Sequence, residues 1–504
     1  MVRAGARLGW CLVGAGLVAG AALADAQVRD PGYRFEIDVS HAANLFHWID
    51  NLAGTSGGKT VAAYRRQWIR RVGRLTAADH EALVAFRRAR MWNPPPPEAL
   101  PPGNPGCVPF REPHLAVRQR VTAAALAARS LTDLERRLRG ILPPEQAGAM
   151  VDALRHFRPA FDERIWPRSR YLFPFARSLQ RFLARERTSA LVRRFADYLG
   201  ADLSGNAGAR LGLVALLEDG PTHAEADGSD LLIEIRPGDV ASDQTQVVFH
   251  ELAHDLFRRI PPDRRERLAR EFFARGRHGA TAWKLVREGL PTALGQGVAQ
   301  RRLAPWDFRF EASWYHVRAV DLFAHAIYRT VRETLDHGGT VEERLPDAAV
   351  RWVSRSPFRH LPPAAALDAV LVASRRDDVP AVAPFAARIE ALGKWRVAYD
   401  EEEGRRILAR YACAPLVLFL RERDLTAHRP LLETLLRGGP PRAPGSGGPE
   451  LVPGRRPSGA AALTVVLPDG ADARKAALAL AALSNWPEEP RSLNPPPDPD
   501  EVGR

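Results

Sequence analysis

Five residues near the middle of the chain, His250-Glu251-Leu252-Ala253-His254, carry the most specific chemistry in the sequence. On a helix, residues four apart lie on one face, a turn from each other. His250 and His254 can therefore present two imidazole nitrogens to one point, which is enough to begin a Zn²⁺ site. Glu251 follows the first histidine and can reach the space beside such an ion without coordinating it. Zinc lowers the pKa of a coordinated water towards ~7, and a carboxylate in that position can take the proton as the water attacks a carbonyl. Val247, Val248, Phe249, Leu252 and Leu256 are apolar, so this helix is expected to be buried. Buried histidines need partners, and the bland reading of the motif is two satisfied core histidines beside a buried glutamate.

A catalytic zinc needs a third protein ligand and an open fourth position. Two residues downstream qualify by type: His278, in a Gly/Arg-rich stretch, and Glu288, in the amphipathic run Trp283 to Leu290. Metzincins would place Gly at 257 and His at 260, and Phe257 and Ile260 exclude that class. His250 to His254 together with Glu288-Gly289-Leu290 resembles the gluzincins, the thermolysin- and aminopeptidase-like zinc peptidases, over about residues 205 to 335. The resemblance implies Glu288 as third ligand, zinc as cofactor, Glu251 as general base and a peptide or protein as substrate. It also implies that Leu231 to Ile235 is the sheet edge along which an extended peptide adds as a strand. The chain departs from the pattern in the long gap from His254 to Glu288. It departs again at Thr292, where those enzymes place an aspartate that orients a ligand histidine; Asp255 is the alternative for that role. The oxyanion formed on a scissile carbonyl needs a donor besides the metal. Tyr315 and His316 follow the Glu288 segment most closely, with His325 and Tyr328 beyond, and Tyr315 is taken as the donor.

These residues need a frame. Asp243 is of a type that caps a helix start, so the histidine helix is expected to begin there. Arg210 to Leu217 and Leu231 to Ile235 read as buried strands before it, and Arg34 to Val39 as a strand near the N-terminus. Apolar residues at helical spacing run from Ala43 to Ile49 and again from Leu115 to about Leu199, with prolines between 94 and 105 marking a loop. From Asp368 onward, four strand-like runs (368 to 373, 395 to 399, 415 to 420, 463 to 467) alternate with helical ones, the pattern of a parallel α/β unit. A Gly/Pro-rich loop, 438 to 459, interrupts it and holds no phosphate-binding motif. The expected fold class is α+β. A mainly helical region spans 27–200, a zincin-like catalytic domain with a small sheet 201–365, a small parallel α/β domain 366–486, and a disordered Pro-rich tail 487–504.

Residues 1–26 have a basic start (Arg3, Arg7), an apolar run from Leu8 to Ala22, and small residues at Ala24-Asp25-Ala26. That is the layout of a cleaved secretory signal peptide. The mature chain is thus expected to be exported, periplasmic or secreted, with no transmembrane segment after cleavage. The net charge of +13 invites a nucleic-acid reading. However, 68 of the 72 basic residues are arginines, scattered among acids in segments such as Arg264-Arg265-Glu266-Arg267. This fits a solvated surface, and no nucleic-acid partner is expected. Cys107 and Cys413 are the cysteines left after cleavage; two such residues can pair in an oxidising compartment but make no disulfide scaffold.

Overall fold

The computed structural model describes residues 28–30, 33–56, 60–92, 117–185, 188–204, 208–275 and 278–356. Beyond these it describes a discontinuous set that includes 370–373, 396–398, 416–426, 449–455, 461–472 and 491–492. The expected leader, Cys107 and Cys413, and most of the helical runs expected between the strands after residue 368 lie outside the described residues. The fold is α+β and mostly helical, with two small sheets. No helix among the described residues is long and apolar enough to cross a membrane.

The first sheet has the order β1-β2-β3-β5-β4. Strands β1 (Val28–Asp30) and β2 (Tyr33–Asp38) come from the N-terminus, and β3 (Gly208–Ala215), β4 (Ala224–Asp227) and β5 (Asp230–Ile235) from the middle of the chain. β2, β3 and β5 are parallel, while β1 and β4 run antiparallel at the two edges. Alternation along a strand sends successive side chains to opposite faces. Leu211, Leu213 and Ala215 of β3 point into one core with Leu231, Ile233 and Ile235 of β5. Val214 and Leu232 point the other way, against Ala43 and Leu126. With both faces covered, the parallel strands β3 and β5 are largely apolar, whereas β2 alternates apolar and charged residues.

One face is covered by α1 (His41–Ala53) and α4 (Val117–Ala127), with α2 (Val61–Arg71), α3 (Ala77–Arg90), α5 (Leu131–Leu138) and α6 (Pro144–Arg164) packed around them. α1 starts at Ser40, whose Oγ accepts the Ala43 N–H, and stops at Gly54 with φ 70°. Its buried polar residues are satisfied by neighbours. Asn44 donates to the Leu213 carbonyl and accepts the Ala215 N–H, tying the helix to β3. Asp50 forms a two-pronged pair with the buried Arg90. The other face carries α7 (Leu172–Arg185), α8 (Thr188–Leu199) and α9 (Ala241–Arg258). Then follow α10 (Pro262–Phe273), α11 (Gly279–Thr292), a π-helical segment Ala293–Ala299, α12 (Gln300–Leu303), α13 (Arg318–Asp336) and α14 (Val341–Arg355).

Three expectations are corrected in this part of the chain. β5 is not an edge: β4 lies outside it, so the edge strand is Ala224–Asp227. Asp243 does not cap α9; the cap position is Val240, which offers no side-chain bond, and Asp243 lies in the first turn. There its charge still suits the positive helix end. Strand β2, placed by its sequence position in the helical region 27–200, is an inner strand of the sheet, so the sheet crosses the expected boundary at 200/201.

The second sheet has the order β11-β9-β10-β8-β6-β7. The four expected strands are present as β6 (Val370–Ala373), β7 (Arg396–Ala398), β8 (Leu416–Arg421) and β10 (Ala461–Leu467), and they are mutually parallel. The sheet is nevertheless mixed. β9 (Glu450–Arg455), inside the segment read as a loop, pairs antiparallel with β10. β11 (Arg491–Ser492), inside the segment read as a disordered tail, pairs with β9.

Candidate metal centre

α9 carries the histidine motif across the face of the first sheet, packed on β4 and β5. α11 crosses it and brings in Glu288. Two glycines set how closely these helices approach. A Cβ on Gly289 would stand 2.3 Å from Phe323 Cδ1, so only glycine lets α11 seat on α13 beside Glu288. A Cβ on Gly295 would stand 2.7 Å from the His250 backbone nitrogen, so only glycine lets the π-helical segment lie against α9.

The result is a convergence of three ligand-type atoms. His254 Nε2 is 3.2 Å from His250 Nε2 and 3.3 Å from Glu288 Oε2, and His250 Nε2 is 3.8 Å from the same oxygen. Among the described residues, His250, His254 and Glu288 form the one group of three or more such side chains with all ligand atoms within 4.8 Å. A tetrahedral zinc site with arms of ~2.05 Å has edges of about 3.3 Å, close to these separations. One proton can bridge only one edge of such a triangle, whereas a cation serves all three, so the donor set fits zinc. The His250 side chain is almost fully enclosed, while Glu288 keeps 44% of its side-chain surface. The centre therefore opens to solvent on the glutamate side.

The electrostatics suit ligands. Burial, and then the neighbouring His254, push the His250 pKa down to about 3, so its ring is neutral at neutral pH. Burial opposes the charge on Glu288, but the facing His254 and His250 and a hydrogen bond from Tyr315 override it and hold the carboxyl well below its usual range. For His254, burial lowers the pKa but Glu288 more than restores it. Glu251, buried and outside the ligand triangle, has its pKa raised, mainly by desolvation and further by Glu288, against the pull of His254. A carboxylate so placed accepts a proton readily.

Tyr315 lies over this centre. Its hydroxyl donates to Glu288 Oε2 at 3.2 Å, and its ring stacks on His250 at 5.8 Å and 18°. Burial and Glu288 push its pKa up, so it remains a donor. The segment is held by Asp321, in the first turn of α13, whose Oδ1 accepts the N–H groups of Trp314 at 2.6 Å and Tyr315 at 2.9 Å. His316 stacks beside Tyr315 and is exposed. His325 stacks on Trp314 at 3.9 Å, and Tyr328 is buried among the same aromatics, so both serve packing.

The remaining sequence candidates fall elsewhere. His278 is the residue before α11 and, ten positions from Glu288, stands ~15 Å away along the helix axis. Thr292 bonds back to the Glu288 carbonyl of its own helix. Asp255 pairs with Arg259 at 2.8 Å and lies near Tyr33, away from the ligands. Sequence reasoning missed Asp321, and it missed Gln296, whose amide lies close enough to influence the His250 ring. A signal for Gln296 exists: it is the one polar side chain in Ala293–Ala299, flanked by Gly295 and Gly297. No protein-family model matches this chain, and no curated protein or solved structure matches it.

Proposed function

We propose that this chain is a zinc metallopeptidase of the gluzincin type, exported from the cytoplasm and acting on peptide or protein substrates. The observation that carries this reading is the meeting of His250 Nε2, His254 Nε2 and Glu288 Oε2 beside a buried carboxylate, Glu251, that stands outside the triangle. Zinc held by the three ligands supplies Lewis acidity and lowers the pKa of water at the site. Glu251 takes the proton of the attacking water and holds it for the departing amine. Tyr315, kept protonated, turns its hydroxyl from Glu288 to the substrate oxygen that gains negative charge. β4, at the sheet edge and packed on α9, offers its outer backbone groups to an extended peptide.

Replacing Glu251 by Gln keeps the shape and removes the base, and base assistance typically contributes 10²–10⁴-fold. Glu251→Gln is expected to bind one zinc per chain as the wild type does, and to lose peptide hydrolysis by about that factor. Unchanged cleavage by Glu251→Gln would refute the assignment. Zinc-loaded wild type that cleaves nothing in a broad peptide library would instead favour an inactive zincin-like fold serving as a binding or scaffold protein of the cell envelope.

A further inference from the structure

The helix that delivers Glu288 does not end there. It passes Pro291, which has no N–H to give the ladder, and runs on as π-helix through Ala293–Ala299. π turns widen a helix by one residue and re-aim its side chains, and they occur often at functional sites. Here the widened turn lies directly on the histidine motif, because Gly295 meets the backbone of Gln246 and His250 without a Cβ between them. The next residue is Gln296. Its amide is close enough to influence the His250 ring. His250 Nδ1 and Gln296 Oε1 are both buried and both lack a partner with hydrogen-bonding geometry. Two such atoms, one able to donate and one to accept, cost free energy while unpaired, and a bond between them would satisfy both.

We propose that Gln296 is the positioning residue of the metal centre, its side-chain oxygen accepting the Nδ1–H of His250. That bond fixes the tautomer in which His250 Nε2 keeps its lone pair, aimed at the point shared with His254 and Glu288. A ligand histidine generally gives its second nitrogen to such an acceptor, and losing it costs 10–100-fold in metal affinity. Asp255, the residue expected in this role from sequence, pairs with Arg259, and Thr292, which stands where the resemblance would place an aspartate, bonds to its own helix. The proposal rests on the metal-site reading above, but not on peptidase activity.

The test uses the full chain and zinc itself. Dissociation constants from chelator competition are compared for wild type, Gln296→Leu and Gln296→Glu, with melting temperatures in EDTA and absorption spectra of the Co²⁺-loaded proteins. Gln296→Leu is expected to weaken zinc 10–100-fold and alter the Co²⁺ spectrum while melting like wild type in EDTA. Gln296→Glu, which keeps an acceptor, is expected to restore the affinity. Wild-type affinity in Gln296→Leu would overturn the proposal. A loss that Gln296→Glu does not restore, or one accompanied by a matching fall in the EDTA melting temperature, would also overturn it. A wild type that binds zinc but cleaves nothing would defeat the peptidase reading alone, and a wild type that takes up no zinc would defeat the site.

Discussion

Tyr315 touches the ligand set twice, through its hydroxyl to Glu288 and its ring on His250, and Asp321 holds the backbone beneath it. Phenylalanine at 315 would keep the stack and lose the donor. Removing one oxyanion donor typically costs 10²–10³ in turnover, so Tyr315→Phe should cut kcat by about that factor while KM and zinc affinity change little. Asp321→Ala frees the Trp314 and Tyr315 amides and should lower kcat through Tyr315. Kinetics of the double variant check this: residues that act as a unit are non-additive, so Asp321→Ala should cost much less in the Tyr315→Phe background than in wild type. Additive losses would separate the two residues. Of this group, His250, Glu251 and His254 are legible from type and spacing, whereas Glu288, one of two candidates by type, is singled out by the resemblance to the gluzincins. Tyr315 was legible only by its order in the chain. Asp321 was not, since its role depends on a loop folding back onto the first turn of α13.

At the level of elements, α9 could be read from its apolar face, and β3 and β5 from their largely apolar runs. β4 could not: Ala-Glu-Ala-Asp is short and poor in strand formers, and it becomes a strand only through its ladder with β5. β9 contains Pro453 and Gly454, and pairing with β10 overrides a local preference for a loop. The π-helical segment has no composition of its own; Gly295 alone hints that something lies close. Alanine at 295 would press a methyl group into the His250 backbone, and overpacking of this kind costs ~1–3 kcal/mol. Gly148, within α6, has open space around its missing Cβ. Gly148→Ala should stabilise by about 0.5–1 kcal/mol through helix propensity. Denaturant midpoints of the two variants should therefore move in opposite directions, and parallel shifts would contradict the close approach at 295.

Across the whole molecule, the helices of the N-terminal region and the sheet beneath the candidate metal centre are joined through Glu234 of β5. This fully buried carboxylate accepts from His47 Nε2 at 2.7 Å, from Thr60 Oγ1 at 2.8 Å and from the His223 amide at 2.8 Å. Burial works against the charge, but His47 foremost, with His223 and Thr60, more than offsets it and lowers the pKa. A carboxyl with a depressed folded pKa adds stability that is present above its unfolded value, ~4.3, and is lost as pH falls through the folded one. The melting temperature of wild type should accordingly fall more steeply below about pH 4.3 than that of Glu234→Gln. Parallel profiles would mean that the carboxylate carries no such linkage.

The placement of β2 has a consequence in time rather than in space. Its ladder to β3 joins Arg34 to Gly208 and Asp38 to Gly212, with the helices α1 to α8 strung between. Helices form from neighbours along the chain, whereas a pairing across so long a loop bears a large closure entropy and is slow. During synthesis β2 therefore waits for β3 to emerge, and β3 must then accept β5 before α9 has a surface to lie on. The candidate metal centre rests on this sheet and so depends on that late pairing, although its residues are the ones the sequence announces first.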